Sequence, residues 1–159
     1  MKKWSADVAL LLLRVAAGLI FLPHGWPKVF GSGGAAAFAG SIAENYAIPA
    51  VLGHLAAYAE VFGALLLIAG LLTRLDAFLL ACTMFVAAFV VQLRDALYGV
   101  EPGASKLFAA LQGIELPLAL FAMTFALVLT GGGRLSLDAV VAWLLDKKKA
   151  AAEAAAVQV

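Results

Sequence analysis

Charged residues are scarce in this chain. Asp, Glu, Lys and Arg together make up 13% of its 159 residues, whereas soluble domains carry about 25%. Hydrophobic residues make up 65%, and the mean hydropathy is +1.02. A domain this small leaves roughly a third of its surface in water, so it cannot bury so many apolar side chains. The excess must face lipid, which excludes a water-soluble enzyme and a disordered chain.

Groups that bind metals, haem or nucleic acid are also few. The single cysteine, Cys82, can form neither an internal disulfide nor a CxxC pair, and we expect a buried structural thiol. The two histidines, His24 and His54, have no Cys, Asp or Glu at ligand spacing, so no metal or haem site is predicted. A formal net charge of +1 is too small to attract the negatively charged backbone of nucleic acid, so nucleic-acid binding is not predicted.

Four stretches are long and apolar enough to cross a bilayer as helices, which takes about 20 residues each. They cover residues 7–23, 51–72, 75–93 and 107–130. Glycine or proline clusters separate the first span from the second and, at 101–103, the third from the fourth, and Thr73-Arg74 separates the second from the third. No segment alternates as a barrel strand does. The sequence therefore predicts an all-α integral membrane four-helix bundle in one domain, residues 1–146, followed by a Lys/Ala-rich cytoplasmic tail, residues 147–159.

The distribution of basic residues predicts the orientation of the bundle. Seven of the eleven Lys and Arg residues fall on the side that carries both termini, and three fall on the opposite side. The positive-inside rule then predicts cytoplasmic termini and a multi-pass protein of the bacterial inner membrane. We expect a short helix over Gly34–Tyr46 on the outer surface and an amphipathic cytoplasmic helix over 135–149. Trp143 and three lysines suit this second helix to an interface with anionic lipid.

Three charged residues fall well inside the predicted spans, at a cost of about 2.5–3.5 kcal/mol each. At 1.5 Å per residue, Glu60 and Glu115 lie roughly 12–14 Å below the outer surface, and Arg14 lies about one turn deeper. We therefore predict a polar pocket in the outer half of the bundle, with these three as its catalytic residues. Nearer the mouth, we expect five ligand-binding residues: His24, Lys28, Gln92, Arg94 and Gln112.

Two interpretations of this cluster stand equally on the residues alone. The carboxylates can accept a proton from, or hydrogen-bond, a quinol or another small polar ligand. Alternatively, the cluster only fixes helix register, since interhelical polar contacts in lipid contribute about 0.6–2 kcal/mol. Transport is less favoured because no span is polar along its whole length.

Three ordered motifs carry a resemblance to a known family. The first span contains LLLRVAAGLIFLPHGWPKVFG, with Arg14, a His-Gly pair and a Lys-x-Phe-Gly run. The second contains EVFGALLLIAGLLTRL, which begins at Glu60. The fourth contains Glu115 and is followed by GGGRLSLD. Together they resemble the DoxX family of small four-span bacterial membrane proteins.

The resemblance implies a role in membrane redox chemistry. Family members include subunits of thiosulfate:quinone oxidoreductases and proteins associated with a superoxide dismutase and a sulfurtransferase. We therefore expect a quinone-interacting subunit of a membrane oxidoreductase, linked to thiosulfate or sulfur or to oxidative stress. A quinone is the expected cofactor, and a partner subunit or a second copy is the expected partner. The alternative is a non-catalytic structural or assembly subunit that docks a redox partner. The sequence contains no redox centre that we can name, so whether the chain is itself an enzyme stays open.

Overall fold

A computed structural model describes residues 2–99 and 105–156 as a bundle of helices. The predicted break at 101–103 and the last three residues of the tail lie outside the described residues. Four helices are long and apolar enough to cross a membrane, which confirms the predicted fold. In chain order the helices are α1 (Lys2–Phe30), α2 (Gly34–Tyr46), α3 (Ala50–Ala69), α4 (Thr73–Tyr98), α5 (Lys106–Thr130) and α6 (Leu137–Ala156).

Helix α1 is longer than predicted. The expected end at Pro23 is wrong, because the helix continues through Pro23 and Pro27 to Phe30. The two prolines are four residues apart, so Pro27 removes the N–H that would otherwise bond to the carbonyl of Pro23. Membrane helices tolerate such losses where neighbouring helices pack around them. As a consequence, Lys28 lies on the helix and not in a loop.

The bundle packs through small residues. Helix α1 lies along α3, and α4 lies along α5. A Cβ added to Gly25 would lie 2.8 Å from the Cβ of Glu60, and one added to Gly53 would lie 2.8 Å from the Cα of Ala39. Small residues at contacts let helix backbones approach closely in lipid, where packing drives association. The buried core is formed by Ala17, Phe21, Ala64, Leu67, Ala77, Leu80, Met84, Leu120 and Leu127.

Two of the long helices contain a π-helical turn. In α3 this turn covers Ala59–Gly63, and in α4 it covers Ala87–Gln92. A π turn adds a residue to the helix and rotates the side chains around it, and such turns are frequent at functional sites. Both turns therefore mark regions where the helix departs from regular packing.

Helix α3 ends at a glycine with a positive φ. Gly70 has φ +72°, and its N–H donates to the carbonyl of Leu67 at 3.1 Å. The N–H of Leu71 donates to the carbonyl of Leu66 at 3.0 Å, which completes a Schellman cap. A Cβ at Gly70 would also overlap the guanidinium of Arg14. Glycine is thus required here twice, for the turn and for the close approach.

Helix α6 extends the bundle at the end that carries both termini, which we call the terminal end. The opposite end, which carries α2, is called the α2 end. Helix α6 starts two residues later than expected and continues to Ala156, so the predicted boundary at residue 146 falls within a continuous helix. Its apolar residues stay exposed, with Trp143 59% accessible and the ammonium of Lys147 5.3 Å from its ring. This face suits the interface of a bilayer.

Candidate functional site

An ion pair between α1 and α3 lies near the α2 end. The ammonium of Lys28 is 2.6 Å from each carboxylate oxygen of Glu60. Glu60 lies on the π turn of α3 and is 2% exposed, whereas about a quarter of the Lys28 side chain is accessible. Gly25 makes room for the glutamate, and the ammonium also lies 4.9 Å from the ring of Phe38. The pair is therefore held between two helices and covered on one side by α2.

A cavity of about 480 Å³ opens beside this ion pair, between α2, α3 and α4. Its walls are mostly apolar, and the Lys28–Glu60 pair lies at one wall. Both π turns contribute to the lining, through Ala59 and Glu60 in α3 and through Val91 and Gln92 in α4. The cavity thus combines an apolar volume with a charged pair, as expected of a site for a largely apolar ligand with a polar head.

Cys82 also borders this cavity. The expectation of a buried structural thiol is wrong, because the residue is exposed and lines the cavity. Its position on a span of Ala, Leu and Met residues predicted burial, but the gap between α3 and α4 leaves this part of α4 uncovered.

Polar contacts tie helix α2 to the part of α4 that lies at the α2 end. The hydroxyl of Tyr46 donates to Asp95 at 2.6 Å. The guanidinium of Arg94 donates to the carbonyl of Asn45 and lies 5.3 Å from the ring of Tyr46. The hydrogen bond to Asp95, with burial and the aspartate's charge, raises the pKa of Tyr46 above its ordinary value. These contacts hold α2 over the cavity.

Arg14 is not part of this site, and its predicted convergence with Glu60 is wrong. The residue is fully buried, but its guanidinium donates to the carbonyls of Leu67 and Leu135 at the terminal end. Along α3, Glu60 and Gly70 are ten residues apart, or about 15 Å. The main cause is the register of α1 against α3: Gly25 lies level with Glu60, and Arg14 is 11 residues, or about 16 Å, before Gly25. Side chains on a helix also tilt toward its N-terminus, which adds to the separation. On α1 this tilt carries Arg14 away from Glu60 and carries Lys28 toward it.

The polar residues of α5 are also outside the cavity. Glu115 and Gln112 are both exposed and line a shallow surface groove formed by α5 alone. The buried face of α5 contains Leu120, Thr124 and Leu127, and Glu115 points nearly opposite to it. The expected contribution of α5 to the pocket is therefore wrong. Helical spacing groups residues on a face but does not say which face meets the bundle.

The remaining predicted residues lie at or near the α2 end. Gln92 is exposed and lines the cavity. Arg94 is also exposed, but it contacts α2 and does not line the cavity. His24 is exposed on α1 and is absent from the lining. Of the eight predicted site residues, the structure brings three together at the cavity: Lys28, Glu60 and Gln92.

A second polar network fills the terminal end. The carboxylate of Asp138 accepts from the backbone N–H groups of Leu72 and Thr73, at 2.7 and 2.9 Å, and so caps the start of α4. Its own N–H donates to the carbonyl of Gly70 at 2.9 Å. Burial alone would raise the pKa of Asp138. The hydrogen bonds from Thr73 and Leu72 and the charge of Arg14 nevertheless hold it below its ordinary value.

Sequence reasoning missed two buried acids near the terminal end. Asp7 accepts from the backbone N–H of Arg134 at 2.9 Å and is 8% exposed. Asp76, in the first turn of α4, is 5% exposed, and its Oδ2 atom has no hydrogen-bond partner among the described residues. Both lie close to predicted span boundaries, where an acid is easily assigned to a loop. Each acid directly precedes an apolar run, Asp7 before Val8 and Asp76 before Ala77, and this position was the available signal.

Comparison with known proteins gives one family and one relative. The model of the DoxX family matches residues 9–93. A Bacillus subtilis (strain 168) protein named "Putative oxidoreductase CatD" is 32% identical over 137 residues, which cover 86% of this chain and 90% of that protein. No solved structure matches. The matched residues include most of α1, all of α2 and α3 and most of α4, and so contain the ion pair and much of the cavity lining.

Proposed function

Because the chain belongs to the DoxX family, we propose that it is a quinone-interacting subunit of a membrane oxidoreductase. One observation carries the proposal: a charged Lys–Glu pair lies at the wall of a mostly apolar cavity inside the bundle. A quinone combines an apolar ring and tail with two carbonyl oxygens. Its chemistry therefore fits both parts of this cavity.

The size and position of the cavity support this ligand. A volume of about 480 Å³ falls within the range of about 300–1,000 Å³ found for small-molecule sites. Leu52, Leu55 and Val86 line the cavity and are also exposed on the outside of the bundle. A ligand dissolved in the bilayer could therefore enter between α3 and α4 without crossing water.

The ion pair supplies the polar chemistry. The ammonium of Lys28 can donate a hydrogen bond to a quinone oxygen, and the carboxylate of Glu60 can accept or return a proton. Reduction of a quinone to a quinol takes two electrons and two protons. In this proposal the electrons come from a partner subunit or a soluble donor, linked to thiosulfate or sulfur or to oxidative stress. The residues of this chain bind, orient and exchange protons.

The orientation forms part of the same proposal. We place the terminal end in the cytoplasm and the cavity in the outer half of a bacterial inner membrane, following the excess of Lys and Arg beside the termini. The lysines of α6 would then meet the anionic inner leaflet.

A matched pair of variants tests the site. In protein purified in mild detergent, binding of a short-chain quinone analogue is measured by quenching of tryptophan fluorescence. Glu60→Gln should weaken binding at least tenfold, because the ion pair that faces the cavity is lost. Glu115→Gln, which changes an exposed glutamate on α5, should leave the affinity unchanged. Equal affinities for the wild type and Glu60→Gln would contradict the assignment.

A specific surface favours a second candidate, a structural or assembly subunit. Glu115 and Gln112 are exposed about 9–14 Å along a membrane-spanning helix, where polar side chains rarely face lipid. A partner subunit or second copy that covers α5 would remove this cost. In this case Glu115→Gln should weaken co-purification of the partner, and no quinone analogue should raise the melting temperature.

A further inference from the structure

A buried acid lies outside the cavity and has no assigned role. Asp76 is 5% exposed, and its Oδ2 atom makes no hydrogen bond to any part of the chain that the structure describes. The ion pairs found between described residues join Lys28 to Glu60 and Arg134 to Asp7, and neither includes Asp76. A buried carboxylate without a cation is expensive in an apolar interior. Such residues in membrane proteins commonly lie on proton pathways.

The carboxylate of Asp76 occupies a space that a glycine leaves open. A Cβ added to Gly63 would lie 2.6 Å from Oδ1 of Asp76. Gly63 is the last residue of the π turn that also carries Glu60, three residues earlier. Asp76 therefore contacts α3 about one helical turn from the glutamate of the cavity.

The charged groups of the neighbouring segments bond to other partners, although Nε of Arg14 has no hydrogen-bond partner among the described residues. On α1, Arg14 donates to the carbonyls of Leu67 and Leu135. On α6, Asp138 accepts from backbone N–H groups at the start of α4. On α3, Glu60 is paired with Lys28. The buried face of α5 presents Leu120, Thr124 and Leu127, which do not titrate at physiological pH.

A buried hydroxyl group, that of Thr73, lies between Asp76 and the terminal end. Thr73 lies three residues before Asp76 on α4 and is fully buried. Its hydroxyl lies near the carboxylate of Asp138, but no hydrogen bond of good geometry joins its Oγ1 to the described chain. Unpaired buried polar atoms of this kind are the usual partners of internal water. Thr73 and Asp76 thus give a polar line from the end of the bundle toward Glu60.

We propose that Asp76 holds a proton and passes it between the terminal end and Glu60. In this step the proton leaves the carboxylic acid of Asp76 and, through water, binds a carboxylate oxygen of Glu60. A proton from water at the terminal end then replaces it. No electron moves in the step. The inference extends the proposed function, because the proton delivered to Glu60 would serve quinone reduction.

Infrared spectroscopy of aspartate-labelled protein in nanodiscs tests whether Asp76 holds a proton. The wild type should show the carbonyl stretch of a protonated aspartic acid, and the band should shift in D₂O within minutes. Asp76→Asn should remove the band, and Asp138→Asn should keep it. Persistence of the band in Asp76→Asn, or its absence from the wild type, would overturn the proposal.

A second pair of variants protects the test against a folding defect. Gly63→Ala should shift the band because the new methyl group meets Oδ1 of Asp76. Gly40→Ala should leave it unchanged, since a Cβ there has open space. An unchanged band in Gly63→Ala would place the protonated group elsewhere.

The link to the cavity is tested by Glu60→Gln. This change leaves the positive charge of Lys28 unbalanced, so the proton affinity of Asp76 should fall about threefold and its titration midpoint should move to lower pH. An unmoved midpoint would overturn the proposed transfer to Glu60. If the wild type binds no quinone analogue, the proposed function is refuted. The infrared results would still decide whether Asp76 holds a proton.

Discussion

The two ends of the bundle use similar charged residues in different ways. At the terminal end, Arg14 and Asp138 bond to backbone groups where helices begin and end. At the α2 end, Lys28 and Glu60 bond to each other beside a cavity of about 480 Å³. The first arrangement satisfies backbone atoms that a bilayer would leave unpaired. The second leaves space for another molecule.

The difference separates a structural role from a binding role. An arginine that donates to two carbonyls on different segments holds these segments together and has little freedom to meet a ligand. An ion pair at a cavity wall keeps an ammonium and a carboxylate within reach of a ligand in the cavity. Arg14 therefore has a structural role and not the catalytic role that was expected. Variants at the terminal end should mainly lower stability, whereas variants at the α2 end should also change ligand binding.

The largest effect is expected for Arg14→Met. This change keeps a long side chain but removes the donors to Leu67 and Leu135. Hydrogen bonds from charged groups contribute about 1.5–3 kcal/mol, so we expect a loss of about 3 kcal/mol in the free energy of unfolding. Thermal unfolding in mild detergent measures it. Arg94→Met, which removes only exposed contacts at the α2 end, is the matched control and should lose clearly less. A melting temperature of Arg14→Met equal to that of the wild type would contradict the structural role of Arg14.

A smaller loss is expected for Lys28→Met. Without its lysine, Glu60 stays buried and uncompensated, so the variant should lose about 2 kcal/mol of stability. This is below the roughly 3–5 kcal/mol of fully buried pairs because part of the lysine is accessible. Lys28→Met combined with Glu60→Gln should recover most of the loss. A double variant as unstable as the sum of both single variants would show that the two residues act independently.

An effect of about 1 kcal/mol is expected for Asp138→Ala, the usual cost of losing a helix cap. The lowered pKa of Asp138 means that its contribution is complete above the unfolded pKa of about 3.9, and is lost as the pH falls through the lower folded value. The difference from the wild type should therefore shrink as the pH falls below about 4. Asp146→Ala, an exposed aspartate on α6, should show no such difference. A constant difference down to pH 2 would contradict the capping role.

Hydropathy predicted most of the fold because it depends on local composition. The span over 107–130 and the short helix Gly34–Tyr46 match the observed helices closely. Each of these features depends on one helix alone.

The candidate site depended on relations between helices, which spacing along one helix does not fix. Arg14 and Lys28 share a face of α1 but are 14 residues apart, or about 21 Å, and the direction of their side chains assigns them to different ends. On α5, helical periodicity shows which residues share a face with Glu115. It does not show whether that face points into the bundle or away from it. The cavity itself arises from the way α2 covers α3 and α4, which no single span contains.

The smallest effect is expected for Tyr46→Phe, which removes one exposed hydrogen bond between α2 and α4. We expect a loss of about 0.5–1 kcal/mol near pH 8. The raised pKa of Tyr46 means that this contribution is present below the unfolded value of about 10, and is lost as the pH rises through the folded value. The free energies of unfolding of the wild type and the variant should therefore converge in alkaline solution, while Tyr58→Phe serves as the control.

Because α2 covers the cavity, the Tyr46→Phe variant should also release a bound quinone analogue faster, as followed by stopped-flow fluorescence. Unchanged release with reduced stability would mean that α2 stabilises the bundle without controlling access to the cavity.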